Sequence, residues 1–406
     1  MPAKRIVIGL NSGTSADGVD AIACEISGRG LGMKVKVLGH VQRAYVPALR
    51  RRILAVMAPA ATRTEELCRL EVEVGRAFAD AAAALVRKLR LKRVDFIGSH
   101  GQTVCHLPPT AGRSGKRSKK KPLSQIPSTL QIGDPAVIAA KLRCPVVHHF
   151  RQADMAVGGQ GAPLVPWTDY VLFRDRRKSR VIQNIGGIAN LTFLPPGGDV
   201  GNVIAFDTGP GNMLIDSMTS TLTKGRQSFD RGGRIASNGR VHPALLRHLM
   251  SHPFLDHPPP KSCGREQFGD SFATGLRKRF ARQKISTPDW IATLTHYSVA
   301  CMILAYAWLC DAGRTSYPPI DELILCGGGA KNATLVRQLQ NCLDAAGRRV
   351  RVVPMDRLGI STQAKEGVSF AMLAAARMDG IPANLPRVTG AKCPVLLGDI
   401  CDMGAL

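Results

Sequence analysis

"GLNSGTSADGVD", residues 9 to 20, breaks an apolar β pattern with small and polar residues and then resumes it. The runs "RIVIGL" and "VDAIACEI" overlap its two ends, so the segment reads as strand, tight turn, strand. In "GTSADG", Gly13 and Gly18 permit the turn, Thr14 and Ser15 offer hydroxyls, and Asp17 can hold Mg²⁺ through water. A plain hairpin rich in ordinary turn formers would use the same letters. The choice depends on the rest of the chain.

The pattern returns at "VIQNIGGIANLTFL", residues 181 to 194, as a loose internal repeat. A third glycine turn follows the short apolar run in "ELILCGGGAKNATLVRQL", residues 322 to 339, where a helical pattern begins. Strand, glycine turn and helix make up an α/β nucleotide site, because glycine positions let backbone N–H groups approach phosphate oxygens. The familiar nucleotide signatures are absent: "GRSGKRS" lacks P-loop spacing, and "CGGGAKN" does not fit the dinucleotide fingerprint.

In "AFDTGPGNMLID", residues 205 to 216, Asp207 follows two apolar residues and precedes a glycine turn. That places a carboxylate at a strand end, where a general base is useful. An Asp capping its own turn explains the same stretch. Elsewhere, apolar positions at 67, 70, 74, 78, 82, 85 and 89 predict a helix over 62 to 91, with Thr62 and Glu65 as a capping box. "RVDFIGSHGQTV" reads as a strand running into a loop, and "TQAKEGVSFAMLAAARM" as a late helix that returns to the first half.

The 406 residues suffice for two or three domains, and 45% hydrophobic residues suffice for packed cores. No apolar run resembles a membrane span or a signal-peptide core, so a cytoplasmic location is expected. Eleven cysteines without a C-x-x-C pair and ten histidines without ligand spacing suggest neither zinc nor a disulfide framework. The net charge of +25 invites a nucleic-acid-binding alternative, yet 5% aromatic residues and dispersed charge oppose it. Six basic residues fall in one acid-free stretch, residues 111 to 122, which reads as a solvated loop.

The strings "GLNSGTSADGVD", "GSHGQTV", "QIGDP", "DMAVGGQGAPLVP", "NIGGIANLT", "FDTGPGN", "PKSCGREQF" and "CGGGAKN" resemble, in order and spacing, the 1,6-anhydro-N-acetylmuramic acid kinases. The likeness runs from about residue 6 to about residue 400. It implies an α/β, two-domain, actin-like (sugar kinase, ribonuclease H-like) fold with a nucleotide cleft between domains. The expected domains are 1–145, joined by 362–406, and 146–361, with the boundary somewhere in 140 to 180.

The resemblance also implies the ligands. ATP would meet Gly13, Thr14, Ser15, Ala16, Asp17, Gly18, Val19 and Asp20 in the first hairpin, and Asn184, Gly186 and Gly187 in the second. Gly209, Gly211, Asn212, Gly327, Gly328, Gly329 and Asn332 would complete the nucleotide contacts, with Mg²⁺ near Asp17. Asp207 would be the catalytic base. His100, Gln102, Gln131, Arg151, Asp154, Gln160 and Glu366 would contact the sugar. The implied reaction hydrolyses the anhydro bridge and phosphorylates the product, in peptidoglycan recycling, by a homodimer that needs no membrane and no nucleic acid. A kinase for a different anhydro sugar is the alternative. Where relatives often carry arginine before the matching aspartate, this chain has Ala153, which leaves more of any carboxylate contact to Arg151.

Overall fold

The computed structural model describes residues 4–58, 61–109, 126–311 and 318–404. The basic stretch at 111 to 122 lies outside the described residues. The chain forms two compact units, Met1–Leu172 with Gln363–Leu406, and Phe173–Thr362. The division at 172/173 lies inside the broad window expected from sequence and beyond the narrower 145/146 boundary. Residues 146 to 148 stay with the first unit because they pair with its sheet on both sides.

Twelve strands are described: β1 (Arg5–Ser12), β2 (Gly18–Ser27), β3 (Lys34–Ala44), β4 (Phe96–Leu107), β5 (Ser128–Ile132), β6 (Val146–His148), β7 (Arg180–Ile185), β8 (Ile188–Leu194), β9 (Ile204–Pro210), β10 (Glu322–Cys326), β11 (Arg351–Pro354) and β12 (Asp399–Cys401). The first unit's sheet has the order β12-β6-β4-β1-β2-β3, with β5 beside β4, and the second unit's has β11-β10-β7-β8-β9. In both sheets an antiparallel three-strand meander continues from its first strand into two parallel strands. The duplicated order is the actin-like, ribonuclease H-like arrangement. The repeated hairpins seen in the sequence, β1–β2 and β7–β8, occupy equivalent places in the two sheets.

In the first unit, helix Lys365–Met378 lies directly on the sheet. A Cβ on Gly9 would stand 1.8 Å from the Gly367 carbonyl oxygen, and one on Gly98 would stand 2.2 Å from that of Phe370. Gly367 answers from the helix side, since a Cβ there would meet Ile22 Cδ1 at 2.0 Å. Backbone therefore packs on backbone, which only glycine allows.

The opposite face carries helix Thr64–Leu89, which buries Leu70, Val74, Phe78, Ala82 and Leu85 of the expected apolar stripe. Its start differs from the sequence reading. The helix begins at Thr64 after an extended Arg63, and no side chain caps it, so the expected capping box is not formed. Glu65 instead accepts from Arg63 Nε at 3.0 Å. β4 likewise continues through Gly101, Gln102 and Thr103, where the sequence suggested a loop, with irregular register against both β1 and β5.

The second unit is built around helix Thr287–Leu309, which buries Trp290, Tyr297, Met302 and Tyr306. By length and composition this helix could cross a membrane, a candidate the sequence reading passed over. With 72% of its apolar window buried, it is the packed core of this unit.

Gly9→Val should be destabilised by about 3 kcal/mol or more in urea unfolding, because its neighbour is backbone and cannot yield. Gly275→Ala, in helix Asp270–Arg279 with nothing within 4 Å of its new methyl, should gain about 0.5 to 1 kcal/mol in the same assay.

Candidate active site

Residues of the first hairpin divide by environment. Gly13, Thr14 and Ser15 are exposed, whereas Ala16 is fully buried and holds a left-handed φ of 50°. Val19 is also buried in the core, and the Asp20 carboxylate is taken by His40 at 2.9 Å. These three therefore shape the hairpin and offer a nucleotide little direct contact. Gln102 has a similar place. Fully buried, it accepts from Ser12 Oγ at 2.7 Å and donates to the carbonyls of Gly13 at 3.2 Å and Thr103 at 3.3 Å. It fastens the hairpin, and no group is left over for the sugar contact expected of it.

The first unit also gathers a polar set around helix Lys365–Met378. Asn11 donates through Nδ2 to Glu366 Oε2. Arg151 Nε donates to His100 Nε2 at 3.1 Å, and Arg151 Nη1 donates to the Gly161 carbonyl at 2.8 Å. His100 must then be the neutral tautomer, with Nδ1–H directed to the Gly101 carbonyl at 3.0 Å. Burial, then the Arg151 charge, hold His100 well below its ordinary pKa. Burial lowers Arg151 itself to about 10, with Glu366 opposing the shift. Arg151 Nη2 has no partner among the described residues and is free for an anionic or hydroxyl oxygen.

Gln131, almost fully buried, donates to Thr129 Oγ1 at 2.6 Å. Its Oε1 has no partner among the described residues, which makes it a ready acceptor for a ligand donor. Gln160 is tied by its own N–H to Thr389 at 2.8 Å. Asp154 has a different task from the one expected. Completely buried, it accepts from Gly161 N–H at 2.8 Å, Asn384 Nδ2 at 2.8 Å and Thr389 Oγ1 at 2.7 Å. Its oxygens accept from these three donors, so it holds the 159–161 turn in place.

In the second unit the three glycine turns converge. Asn212 N–H donates to the Gly186 carbonyl at 2.8 Å, and the N–H groups of Gly211 and Met213 donate to Gly187 at 2.9 and 3.0 Å. A Cβ on Gly327, whose φ is 84°, would stand 2.6 Å from Asn184 Oδ1, and one on Gly329 would stand 2.3 Å from Ile185 Cγ2. Gly209 packs against Cys301, and Gly328 faces the Asn212 amide. Asn332 caps helix Ala333–Ala345 through Leu335 N–H at 3.0 Å, which uses the side chain expected to meet nucleotide.

Asp207 lies beside the same turns on β9. Asn190 pairs with Asp207 and Ala189 with Gly209, so Thr208 is the extra residue of a β-bulge. The Asp207 N–H is fixed to the Lys261 carbonyl at 3.1 Å, and Asp207 Oδ2 accepts from Cys263 N–H at 2.9 Å. Oδ1 has no partner among the described residues. Burial raises the carboxyl to about 6 against the Cys263 hydrogen bond, with Glu266 adding to the rise. A carboxylate held by one oxygen, free at the other and poised near neutrality is built to accept a proton.

Among the described residues no group of three or more His, Cys, Asp or Glu could hold a metal. Asp17 stands alone, exposed, and paired to Arg50 at 3.0 Å. That fits Mg²⁺ carried chiefly by phosphates and water, with Asp17 as an outer contact. Asn11, Arg50, Thr129 and the Cys263 N–H were missed in the sequence. Only Asn11 and Cys263 lie within strings that already drew attention.

A duplicated actin-like fold with converging glycine turns and a poised carboxylate defines a phosphotransferase of the sugar-kinase class. The family model described as anhydro-N-acetylmuramic acid kinase matches residues 5–403. The anhydro-N-acetylmuramic acid kinase of Caldanaerobacter subterraneus subsp. tengcongensis is 40% identical over 399 residues, covering 98% of this chain and 97% of that one. That of Bacillus cereus strain AH820 is 41% identical over 396 residues, covering 97% and 98%. The chain belongs to the anhydro-N-acetylmuramic acid kinase family. Among solved structures, a ROK family glucokinase from Streptomyces griseus with glucose and AMPPNP aligns over 91% of this chain and 98% of that one, with 11% identity and a TM-score of 0.38.

Asp154→Ala should lower stability by roughly 3 kcal/mol or more, since it strands three buried donors. Urea unfolding checks this. Unchanged stability together with a selective rise in sugar KM would return Asp154 to the substrate contacts.

Proposed function

We propose that this kinase hydrolytically opens the bridge of 1,6-anhydro-N-acetylmuramic acid and phosphorylates the 6-oxygen with ATP, giving N-acetylmuramic acid 6-phosphate for peptidoglycan recycling. The free, near-neutral Asp207 carboxylate is the observation that carries this reading. Asp207 takes a proton from water as the water oxygen bonds to the anomeric carbon. The bond from that carbon to the 6-oxygen breaks, the 6-oxygen takes the γ-phosphoryl group, and ADP leaves. Phosphoryl transfer asks mainly for alignment and charge neutralisation. The backbone donors of residues 13 to 18 serve the first need, and Mg²⁺, with Asp17 as the residue that would hold it through water, would supply the second.

For the sugar, the free Arg151 Nη2 suits the lactyl carboxylate, and the unpaired Gln131 Oε1 suits a hydroxyl or the acetamide N–H. Glu366, steadied by Asn11, and neutral His100 offer further acceptor and donor edges. In this reading the enzyme works in the cytoplasm, where ATP is available, as a homodimer.

Asp207→Asn should lower kcat by about 10² to 10⁴ while leaving the ATP dissociation constant within about twofold. For the native enzyme, log kcat/KM should rise with unit slope up to about pH 6 and then level off, since the base acts when deprotonated. A carboxyl whose folded pKa is raised adds stability at low pH that is lost as pH rises through about 6. The Asn variant should therefore be no less stable than the native enzyme at pH 7.5. Turnover in ¹⁸O water should put the label on the anomeric hydroxyl. An unlabelled product, or an Asp207→Asn enzyme with native turnover, contradicts the proposal.

A further inference from the structure

In the first hairpin the carbonyls of Gly13, Ser15, Ala16, Asp17 and Gly18 are tied down. Gly13 O accepts from Ala16 N–H at 3.0 Å and from Gln102, Asp17 O accepts from Tyr45 N–H at 3.2 Å, and Gly18 O accepts from Ser12 Oγ at 2.7 Å. The carbonyls of Ser15 and Ala16 are held by one side chain from outside the hairpin. Arg50 Nη2 donates to Ser15 O and Arg50 Nε to Ala16 O, both at 3.1 Å. The same Nη2 meets Asp17 Oδ1 at 3.0 Å. By contrast, the N–H groups of Thr14, Ser15 and Asp17 have no acceptor among the described residues. Ala16, at φ 50°, takes the left-handed conformation that reverses the short segment.

Arg50 stands on helix Pro47–Met57, whose Leu49 and Ile53 are buried in the same core cluster as Ala16 and Tyr45. The guanidinium thus projects from a rigid base. Its planar fork reaches two consecutive carbonyls at once, which a lysine ammonium does less well.

We propose that Arg50 is the positioning residue of this hairpin: it draws the Ser15 and Ala16 carbonyls and the Asp17 carboxylate to one side, leaving the N–H groups of Thr14, Ser15 and Asp17 to the nucleotide's phosphates. The inference rests on the reading of residues 13 to 18 as the ATP loop. Without Arg50 the two carbonyls would be free to turn towards the phosphates, and repulsion would replace attraction. The pair also fixes Asp17 Oδ1 and leaves Oδ2 for a magnesium-bound water.

Isothermal titration of Mg·ATP against the native enzyme, Arg50→Ala, Arg50→Lys and Arg52→Ala tests this. Arg52 is the control. It carries the same charge two residues along the helix, but its guanidinium serves Glu66 and Glu73, at 2.6 and 2.7 Å. Arg50→Ala should raise the dissociation constant and the KM for ATP by about tenfold or more, leave the KM for the sugar within about twofold, and unfold within a few degrees of the native enzyme. Arg50→Lys should recover only part of the loss, and Arg52→Ala should bind ATP as the native enzyme does. Equal losses in Arg50→Ala and Arg52→Ala would reduce the effect to general charge and overturn the inference. So would native-like ATP binding by Arg50→Ala, or a parallel rise in both KM values. If the native enzyme itself does not bind Mg·ATP, the ATP-loop reading falls and takes this inference with it.

Discussion

Direct contact between backbone and backbone, made by Gly9 and Gly98 on the sheet and Gly367 on the returning helix, is the constraint on which the first unit depends. Helices held off a sheet by side chains leave room for variation. Here the carbonyl oxygens of Gly367 and Phe370 lie where Cβ atoms would otherwise be, so the helix has one position along β1 and β4. Everything on its first turn inherits that position. Glu366 meets Asn11 at the end of β1, and the buried Lys365 meets Asp169 at 3.1 Å. The N-terminal strand and a helix more than 350 residues later thereby share one polar corner. The cost of the arrangement is sequence freedom, since Gly9 and Gly98 cannot become alanine without moving backbone, nor Gly367 without displacing Ile22.

The site's acids also show how environment separates groups of identical chemistry. Asp154 is deeper than Asp207, yet three donors meet it, and it serves as a fixed strut. Asp207 has one side-chain hydrogen bond and partial burial, so its charge is under-compensated and its carboxyl titrates near 6. Asp20 is balanced by His40 on the neighbouring strand, and Asp17 by Arg50 in water. Burial with a single opposing hydrogen bond is what raises Asp207. The bulge at Thr208 matters for the same reason. It removes Asp207 from a regular ladder and leaves Oδ1 outside the hydrogen bonds that hold the strand.

What could be read from the sequence was what depends on near neighbours. Two strand–turn–strand segments, the glycine turn after β10 and the stripe of helix Thr64–Leu89 are set by spacings of a few residues. Asp207 stood out because an acid between an apolar run and a glycine turn is a local pattern. The roles of Gln102 and Asp154 were not legible, because inward or outward direction is set by irregular register in β4 and by partners more than 200 residues away. The capping box failed for a local reason: the helix starts at Thr64, two residues past Thr62, and Glu65 pairs with Arg63 at 3.0 Å. Arg50 gave no signal at all. An arginine among three in "RRR" looks like ordinary helix surface until the carbonyls it meets are known.

The duplicated topology has a further consequence. Both units place a hairpin between the first two strands of their sheets. In the second unit Gln183, on β7 itself, donates to the Asn190 carbonyl at 2.9 Å and accepts from the Tyr306 hydroxyl at 2.8 Å, so the hairpin is pinned from within the core. The Gly186 and Gly187 carbonyls are then taken by N–H groups of the 211–213 turn. In the first unit the Gly13 and Asp17 carbonyls likewise accept backbone N–H groups, from Ala16 and Tyr45, and side chains add to this, Gln102 at Gly13 and Arg50 at Ser15 and Ala16. The two turns therefore share one device, carbonyls bound within their own unit, and differ in the arginine that reinforces the first from outside.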